Sequence, residues 1–323
     1  MSTYLITGFS GFVSYHFLQM LKDLKQPVKV IGVSKTKPPK EYFDFDNIEI
    51  IHEAVDLRHK EAILSLLALH QPDFVVHLAS YSSVGYSWQN PVESFTNNTN
   101  IFLNLIESIR ELGQNPVVLS IGSSEQYGNV QPDDVPLIEN RLLKPISPYA
   151  VARVSQEMLS KIYADSYGLR IIMTRSFNHI GIKQKDNFVI PSFAKQTVKI
   201  KHKLQEPVIE TGNLSIVRDF IDVRDVVKAY YLLLHHGKSG EIYNICSNNG
   251  HSLNDMLLIM KNYLTIDFDI KINPALVRPN DNQVIIGSNH KIVTNLNWRL
   301  DFSIEQSLKD IIDYWEEEVI KKY

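Results

Sequence analysis

Tyr4-Leu5-Ile6 is a short apolar run that passes into Thr7-Gly8-Phe9-Ser10-Gly11-Phe12-Val13-Ser14 and then into an apolar-periodic stretch reaching Leu24. A buried strand, a tight glycine turn and a helix in that order leave few folds open. Gly8 and Gly11 let the backbone turn sharply and come close to a pyrophosphate, which rests on the helix N-terminus. In this context the turn is expected to bind a dinucleotide, with Ser10, Phe12 and Val13 contributing beside the glycines. The third glycine of that fingerprint is Ser14 here. The position packs helix on strand, so a serine is small enough to be tolerated with a slight shift.

The rest of the first half repeats strand and helix. Apolar runs at 28–33, 48–51, 74–79, 117–122 and 169–175 read as further strands, and 91–112 and 148–167 as helices between them. That pattern predicts an α/β fold with a doubly wound, mostly parallel sheet. Ligands of such sheets sit at the carboxyl ends of the strands. Thr7, Ser34, Ser80 and Ser123 all fall at such ends and point to one crevice. Asp56, with Leu57, is a candidate for the adenine edge, and Leu78 and Ala79 lead to Ser80. The second strand ends in Ser34-Lys35-Thr36-Lys37 rather than in an acid. Lysines there suit a 2′-phosphate, which favours NADP over NAD; the alternative is a solvated loop.

Ser123-Ser124-Glu125-Gln126-Tyr127-Gly128 follows the fifth strand, and Ser147-Pro148-Tyr149-Ala150-Val151-Ala152-Arg153 opens the next helix. Ser147 is a good N-cap, Pro148 suits the first helical position and Gly168 the stop. Tyr149 and Arg153 are four apart and share a face. A cation on that face favours the phenolate, so the pair, beside the Ser123 hydroxyl, can pass protons to and from a sugar oxygen. Glu125 offers a second proton-transfer group. Taken alone, a tyrosine and an arginine at this spacing are a packed ring and a solvated charge; the glycine turn and the strand pattern lift the pair above that.

Beyond residue 175 the pattern loosens. Helices are expected at 188–203, 253–263 and 303–321, strands at 208–211 and 242–246, and 218–223 leads into a helix ending near His236. This divides the chain into a dinucleotide-binding part, 1–175 with a later contribution from about 216–247, and a smaller interleaved substrate lobe, 176–323. The net charge of -3 gives no nucleic-acid footprint. No apolar run approaches a membrane span, and no leader precedes the first strand. The single cysteine, Cys246, allows no internal disulfide, so a cytoplasmic location is the default. The histidines show no metal-ligand spacing, and no metal is expected.

The chain resembles the extended short-chain dehydrogenases/reductases that modify nucleotide sugars, within them the group of GDP-mannose 4,6-dehydratases and GDP-6-deoxy-mannose reductases. The segments that carry this are Gly122 to Gly128, Arg175-Ser176-Phe177-Asn178-His179-Ile180-Gly181, Gln184-Lys185-Asp186, Arg218-Asp219-Phe220, Tyr243-Asn244-Ile245-Cys246-Ser247 and Gly287-Ser288. The resemblance implies a Rossmann fold, NAD(P) and a GDP-sugar. It implies Ser123 and Tyr149 as catalytic groups, a lysine where Arg153 stands, and Ser83, Ser124, Asn178, Val189, Lys195, Arg218 and Arg278 around the substrate. Arg153 keeps the positive charge of that lysine in a planar, longer form. Glu125 matches the dehydratase base, which implies a 4,6-dehydratase of a GDP-hexose in bacterial surface-glycan synthesis, GDP-N-acetylglucosamine and GDP-mannose being candidates. The alternatives are a GDP-4-keto-6-deoxy-mannose reductase and a non-catalytic dinucleotide sensor. Relatives pair through the helices at 91–112 and 148–167. A homodimer or homotetramer is therefore expected, with Leu103, Leu105, Ile106, Met158 and Ile162 either between copies or packed on the sheet.

Overall fold

The computed structural model describes residues 1–277 and 282–321. In chain order the first half holds β1 (Ser2–Thr7), α1 (Phe12–Asp23), β2 (Val28–Val33), β3 (Ile48–Glu53), α2 (Lys60–His70) and β4 (Phe74–His77). It continues with α3 (Val84–Gln89), α4 (Pro91–Phe95), a π turn over Thr96–Asn100, α5 (Ile101–Glu111), β5 (Val117–Ser123), α6 (Pro148–Tyr167) and β6 (Ile171–Ser176). The second half holds β7 (Asn178–Ile180), α7 (Val189–Lys201), β8 (Val208–Thr211), β9 (Val217–Asp222), α8 (Val223–His236) and β10 (Ile242–Ile245). β11 (Gly250–Ser252), α9 (Leu253–Leu264), β12 (Asp269–Ile272), β13 (Val284–Ile285), α10 (His290–Leu296) and α11 (Ile304–Ile320) complete it.

One sheet runs β10-β6-β5-β4-β1-β2-β3, with every pairing parallel. Strands covered on both faces need near-continuous apolar sequence. β6 shows this, with all six of its residues buried. One face is covered by α1 and α8 through Phe17, Leu18, Leu21, Val226, Tyr230 and Leu233. The other is covered by α2, α5 and α6 through Ile63, Leu67, Leu105, Ile106, Ile109 and Tyr163. β10 adds to the sheet beside β6 although it lies far along the chain.

The second-half elements build a smaller layer. β9 pairs with β7, β11 and β13, β8 pairs with β12, and α7, α9 and α11 close a core of Phe193, Ile209, Leu257, Ile311 and Trp315. Among the described residues no helix is long and apolar enough to cross a membrane.

Several sequence expectations change in detail. The segment after β4, where no helix is expected from the pattern above, forms α3, and Ser83 Oγ caps it by accepting from Tyr86 N at 3.1 Å. The helix expected at 91–112 is broken by the π turn, where Asn97, Asn98 and Thr99 are buried polar residues. Asn98 accepts from Tyr81 N at 3.0 Å and donates to Tyr81 O at 3.3 Å, so its side chain serves the preceding loop. Leu105 and Ile106 are fully buried against the sheet and are not offered to another copy; the apolar stripe of α5 is used inside the chain. Met158 and Ile162 remain 59% and 52% exposed on α6.

Candidate active site

The glycine turn fits an anion. Gly8 has φ +69°, and a Cβ there would lie 2.8 Å from Ala79 N, so only glycine lets β1 and the end of β4 approach this closely. Gly11 N donates to Gly8 O at 2.9 Å and then caps α1 with no side-chain bond. The first turn of α1 contains no acid. Its N–H groups are thus left for a diphosphate at the positive end of the helix. Ser14 is buried and donates from Oγ to Gly8 O at 3.1 Å, which explains how a serine replaces the third glycine: it staples the turn it would otherwise crowd.

Gly8, Ser10, Gly11, Phe12, Val13, Leu78 and Ser80 line a crevice of about 1130 Å³. Ser123, Ser124, Glu125, Tyr149 and Arg153 line the same crevice, as do Ser83, Asn178 and Val189. That volume exceeds a single drug-sized pocket and suits a dinucleotide with a second nucleotide beside it.

Other expected residues stand outside the lining. Thr7 is turned inward, Oγ1 meeting His77 Nδ1 at 3.0 Å and accepting from Ala79 N at 3.1 Å; it joins the ends of β1 and β4. Ser34 donates to Thr36 O at 2.7 Å and meets His52 Nε2 at 3.0 Å, which shapes the turn after β2. Leu57 packs into the core under the sheet. Lys35 Nζ lies 3.4 Å from Asp56, whose carboxylate also takes Arg58 in a fork. The Arg58 guanidinium holds the Asp56 carboxyl well below the usual carboxylate range. Lys195 pairs with Asp186 at 2.5 Å and lies over the Trp315 ring. Arg218 is buried and donates to the carbonyls of Val217 and Asn282. Arg278 lies outside the described residues.

The centre is built on α6. Ser147 Oγ accepts from Ala150 N at 3.1 Å, Pro148 takes the first turn, and Gly168 at φ +71° ends the helix. Tyr149 is thereby fixed in the first turn, 5% exposed. Arg153 is 4% exposed and donates from Nε to Tyr149 Oη at 3.2 Å. Its Nη1 donates to Ile121 O at 2.9 Å and Gln156 Oε1 at 2.7 Å, and its Nη2 to Ser80 Oγ. On the β5 side Gln126 Oε1 takes Ser123 N at 2.8 Å. Gln126 Nε2 donates to Glu157 at 2.7 Å, and Glu157 pairs with Arg175 at 2.7 Å. A buried ion pair therefore stands behind the turn that presents Ser123 and Glu125.

Sequence reasoning missed part of the lining. Ser176 is the end of β6, and the strand-end rule used for Ser123 would have found it. It meets Tyr230 Oη at 2.7 Å, and burial pushes the Tyr230 phenol up. No local signal marks Tyr230, a core position of α8 brought in from the second half. His179 stacks on Phe12 with ring centroids 5.7 Å apart, and Lys183 pairs with Glu41 at 2.9 Å across the mouth. Among the described residues no group of His, Cys, Asp and Glu could hold a metal ion.

A family model described as GDP-mannose 4,6 dehydratase matches residues 5–311. The chain is 31% identical over 314 residues to a GDP-6-deoxy-D-mannose reductase of Pseudomonas aeruginosa, covering 97% of each. It is 29% identical over 293 residues to a GDP-6-deoxy-D-talose 4-dehydrogenase of Aggregatibacter actinomycetemcomitans, covering 90% of each. A solved structure of RMD from Pseudomonas aeruginosa complexed with NADPH aligns with a TM-score of 0.87 at 29% identity, over 98% of this chain and 100% of that one. With the glycine turn and the serine, tyrosine and arginine in one crevice, these matches place the chain in the GDP-mannose 4,6-dehydratase family of extended short-chain dehydrogenases/reductases.

Proposed function

We propose that the protein reduces the 4-keto group of a GDP-4-keto-6-deoxyhexose, with NADPH as its preferred cofactor. The observation that carries this is the meeting of Ser123, Tyr149 and Arg153 beside the uncapped N-terminus of α1. Two relatives named for oxidation–reduction of GDP-6-deoxyhexoses support it. Bound NADPH would supply the hydride to the carbonyl carbon. Tyr149 Oη gives its proton to the carbonyl oxygen, and the Arg153 Nε–H steadies the phenolate left behind. The Ser123 hydroxyl donates to the same oxygen and fixes the sugar. One hydride and one proton convert the ketone to the alcohol. Lys35 and Arg58 share the single carboxylate of Asp56, and the surplus positive charge favours a 2′-phosphate.

A second reading, a GDP-hexose 4,6-dehydratase, is favoured by one residue. Glu125 lines the crevice two positions after Ser123 and could take the C5 proton after transient oxidation at C4. One experiment separates the two. A GDP-4-keto-6-deoxyhexose with NADPH should be reduced, read as loss of the reduced-nicotinamide absorbance. If GDP-mannose or GDP-N-acetylglucosamine is instead converted to a 4-keto-6-deoxy product with no added NADPH, the dehydratase reading replaces the reductase.

The protein also pairs with a second copy in this reading. Val151, Met158 and Ile162 on α6, with Val92 and Phe95 on α4, leave large apolar side chains exposed. A monomeric mass by light scattering would overturn the pairing.

A further inference from the structure

Arg153 is a permanent cation, 4% exposed, and the acceptors of its hydrogen bonds among the described residues are all neutral: a phenol, a backbone carbonyl, an amide oxygen and a serine hydroxyl. Among the described residues no carboxylate pairs with it. A buried charge without an ion partner costs far more than one that is paired. The fold nevertheless keeps it so, and invests buried polar groups in aiming it. Gln156 lies one turn further along α6. Its Oε1 accepts from Arg153, while its Nε2 donates to Ser120 Oγ at 2.9 Å and Ile121 O at 3.2 Å. Ser160 continues the stripe, donating to Ser120 Oγ at 2.9 Å. Tyr149, Arg153, Gln156 and Ser160 thus form one polar face of α6 laid on β5. On the crevice side the loop that carries Ser80 is held through Tyr81 by Asn98 of the π turn.

This face does not conduct protons inward. A guanidinium cannot be deprotonated and an amide does not shuttle a proton, so the chain beyond Tyr149 is a fixture rather than a relay. We infer that Gln156 is a positioning residue whose neutral side chain fixes the Arg153 guanidinium on Tyr149 and Ser80 while leaving its positive charge uncompensated for the crevice. A lysine at position 153 would have a single nitrogen to serve acceptors that the planar fork now reaches at three. The inference rests on the enzymatic reading given above.

The charged and titratable groups around the pair limit what else could move its pH response. His77 on β4 and Tyr230 on α8 both feel the charge of Arg153. Glu125 shares the crevice, and Glu157 on α6 is committed to Arg175. None of these contacts Gln156 among the hydrogen bonds and ion pairs of the described residues.

Two variants test the proposal. Gln156→Glu keeps an acceptor of the same length but supplies a negative charge; Gln156→Met keeps the volume and removes the acceptor. With Gln156→Glu the alkaline limb of the kcat profile, set by loss of the phenol proton that the reduction needs, should move up by about one pH unit while KM changes less than about twofold. With Gln156→Met kcat should fall about tenfold, again with little change in KM. A profile for Gln156→Glu that coincides with wild type overturns the proposal, as does wild-type kcat in a folded Gln156→Met. A merely structural glutamine would lower the melting temperature of both variants without moving the pH profile. The phenolate absorbance that Tyr149→Phe removes should shift in Gln156→Glu in the same direction as the kcat limb. That reading needs no substrate: an unmoved phenolate signal overturns the proposal, whereas absence of wild-type turnover on every GDP-sugar tried, with a shifted phenolate signal, overturns only the assigned reaction.

Discussion

The two walls of the crevice are built differently. The sheet-side wall carries Ser123 at the end of β5, Ser80 just beyond β4, and Tyr149 and Arg153 in the first turns of α6, each held by buried or part-buried hydrogen bonds. The lobe-side wall carries Asn178 at the start of β7, Lys183, Gln184 and Lys185 on the connection that follows, and Val189 at the start of α7. There, apart from the buried Gln184, these residues are exposed or half-buried, and Lys183 is matched by the exposed acid Glu41. A reaction centre must be aimed before substrate arrives, whereas a wall that closes on a nucleotide sugar can be finished by the ligand. Under the proposed reduction, chemistry falls to the first wall and substrate grip to the second.

The largest effect should follow from breaking the first wall at its centre. Tyr149→Phe removes one oxygen and no packing. Turnover should fall about 10²–10⁴-fold, with NADPH affinity changed only a few-fold. Turnover near wild type would assign the proton to another group. Next comes the glycine turn. Gly8→Ala puts a Cβ against the Ala79 backbone at a strained φ, whereas Gly113→Ala, at φ +63°, meets nothing within 4 Å. The first should cost several times the roughly 1 kcal/mol of the second and weaken NADPH binding. Equal melting temperatures for the two would mean that β1 and β4 can part without consequence.

How much was legible in the sequence follows the same division. The sheet-side residues are marked by local rules: a strand end before Ser123, a Ser-Pro cap before Tyr149, a four-residue spacing to Arg153. These rules work because the side chains are fixed by their own element. Gln156 obeys the same helical spacing and could have been read from it. Tyr230 could not, because α8 reaches the crevice only through tertiary packing. On the lobe side Lys195 and Arg218 were named from resemblance alone, and their side chains are engaged by Asp186 and by backbone carbonyls outside the described lining. Their orientation depends on contacts that no local pattern records.

The lobe also differs in what it buries. On α1, His16 meets Ile182 O at 3.1 Å, and burial lowers its pKa to about 4. In the lobe, burial raises the Asp219 carboxyl to about 6, against donors from Ser247, Asn248 and Gly287. The signs oppose. His16 stays neutral when folded, so its contribution is full above its unfolded value of about 6.5 and is lost as pH falls through about 4. Asp219 prefers its proton when folded, so its contribution is full below 3.8 and is lost as pH rises through about 6. His77 acts with His16, and Asp225 acts with Asp219. Asp219→Asn removes one side of this balance. Between pH 6.5 and 4 its unfolding free energy should drop relative to wild type by roughly 3 kcal/mol, read from urea midpoints. Parallel pH curves would show that Asp219 ionises as an ordinary carboxylate.

The smallest effect tests the second wall directly. Lys185 lines the crevice, and among the described residues its ammonium has no ion pair, unlike Lys183 and Lys195, which are matched by Glu41 and Asp186. An unmatched cation at the mouth of an anion-binding crevice is free to meet a phosphate of the nucleotide sugar. One such charge-assisted contact is worth about 1.5 kcal/mol, or roughly tenfold in affinity. Lys185→Met keeps the stem and removes the charge, so KM for the GDP-sugar should rise about tenfold while kcat holds. Higher salt should narrow the gap between wild type and variant, because a partly exposed contact is screened. If kcat falls instead and KM holds, Lys185 acts on the reacting atoms, and the division of labour between the two walls gives way.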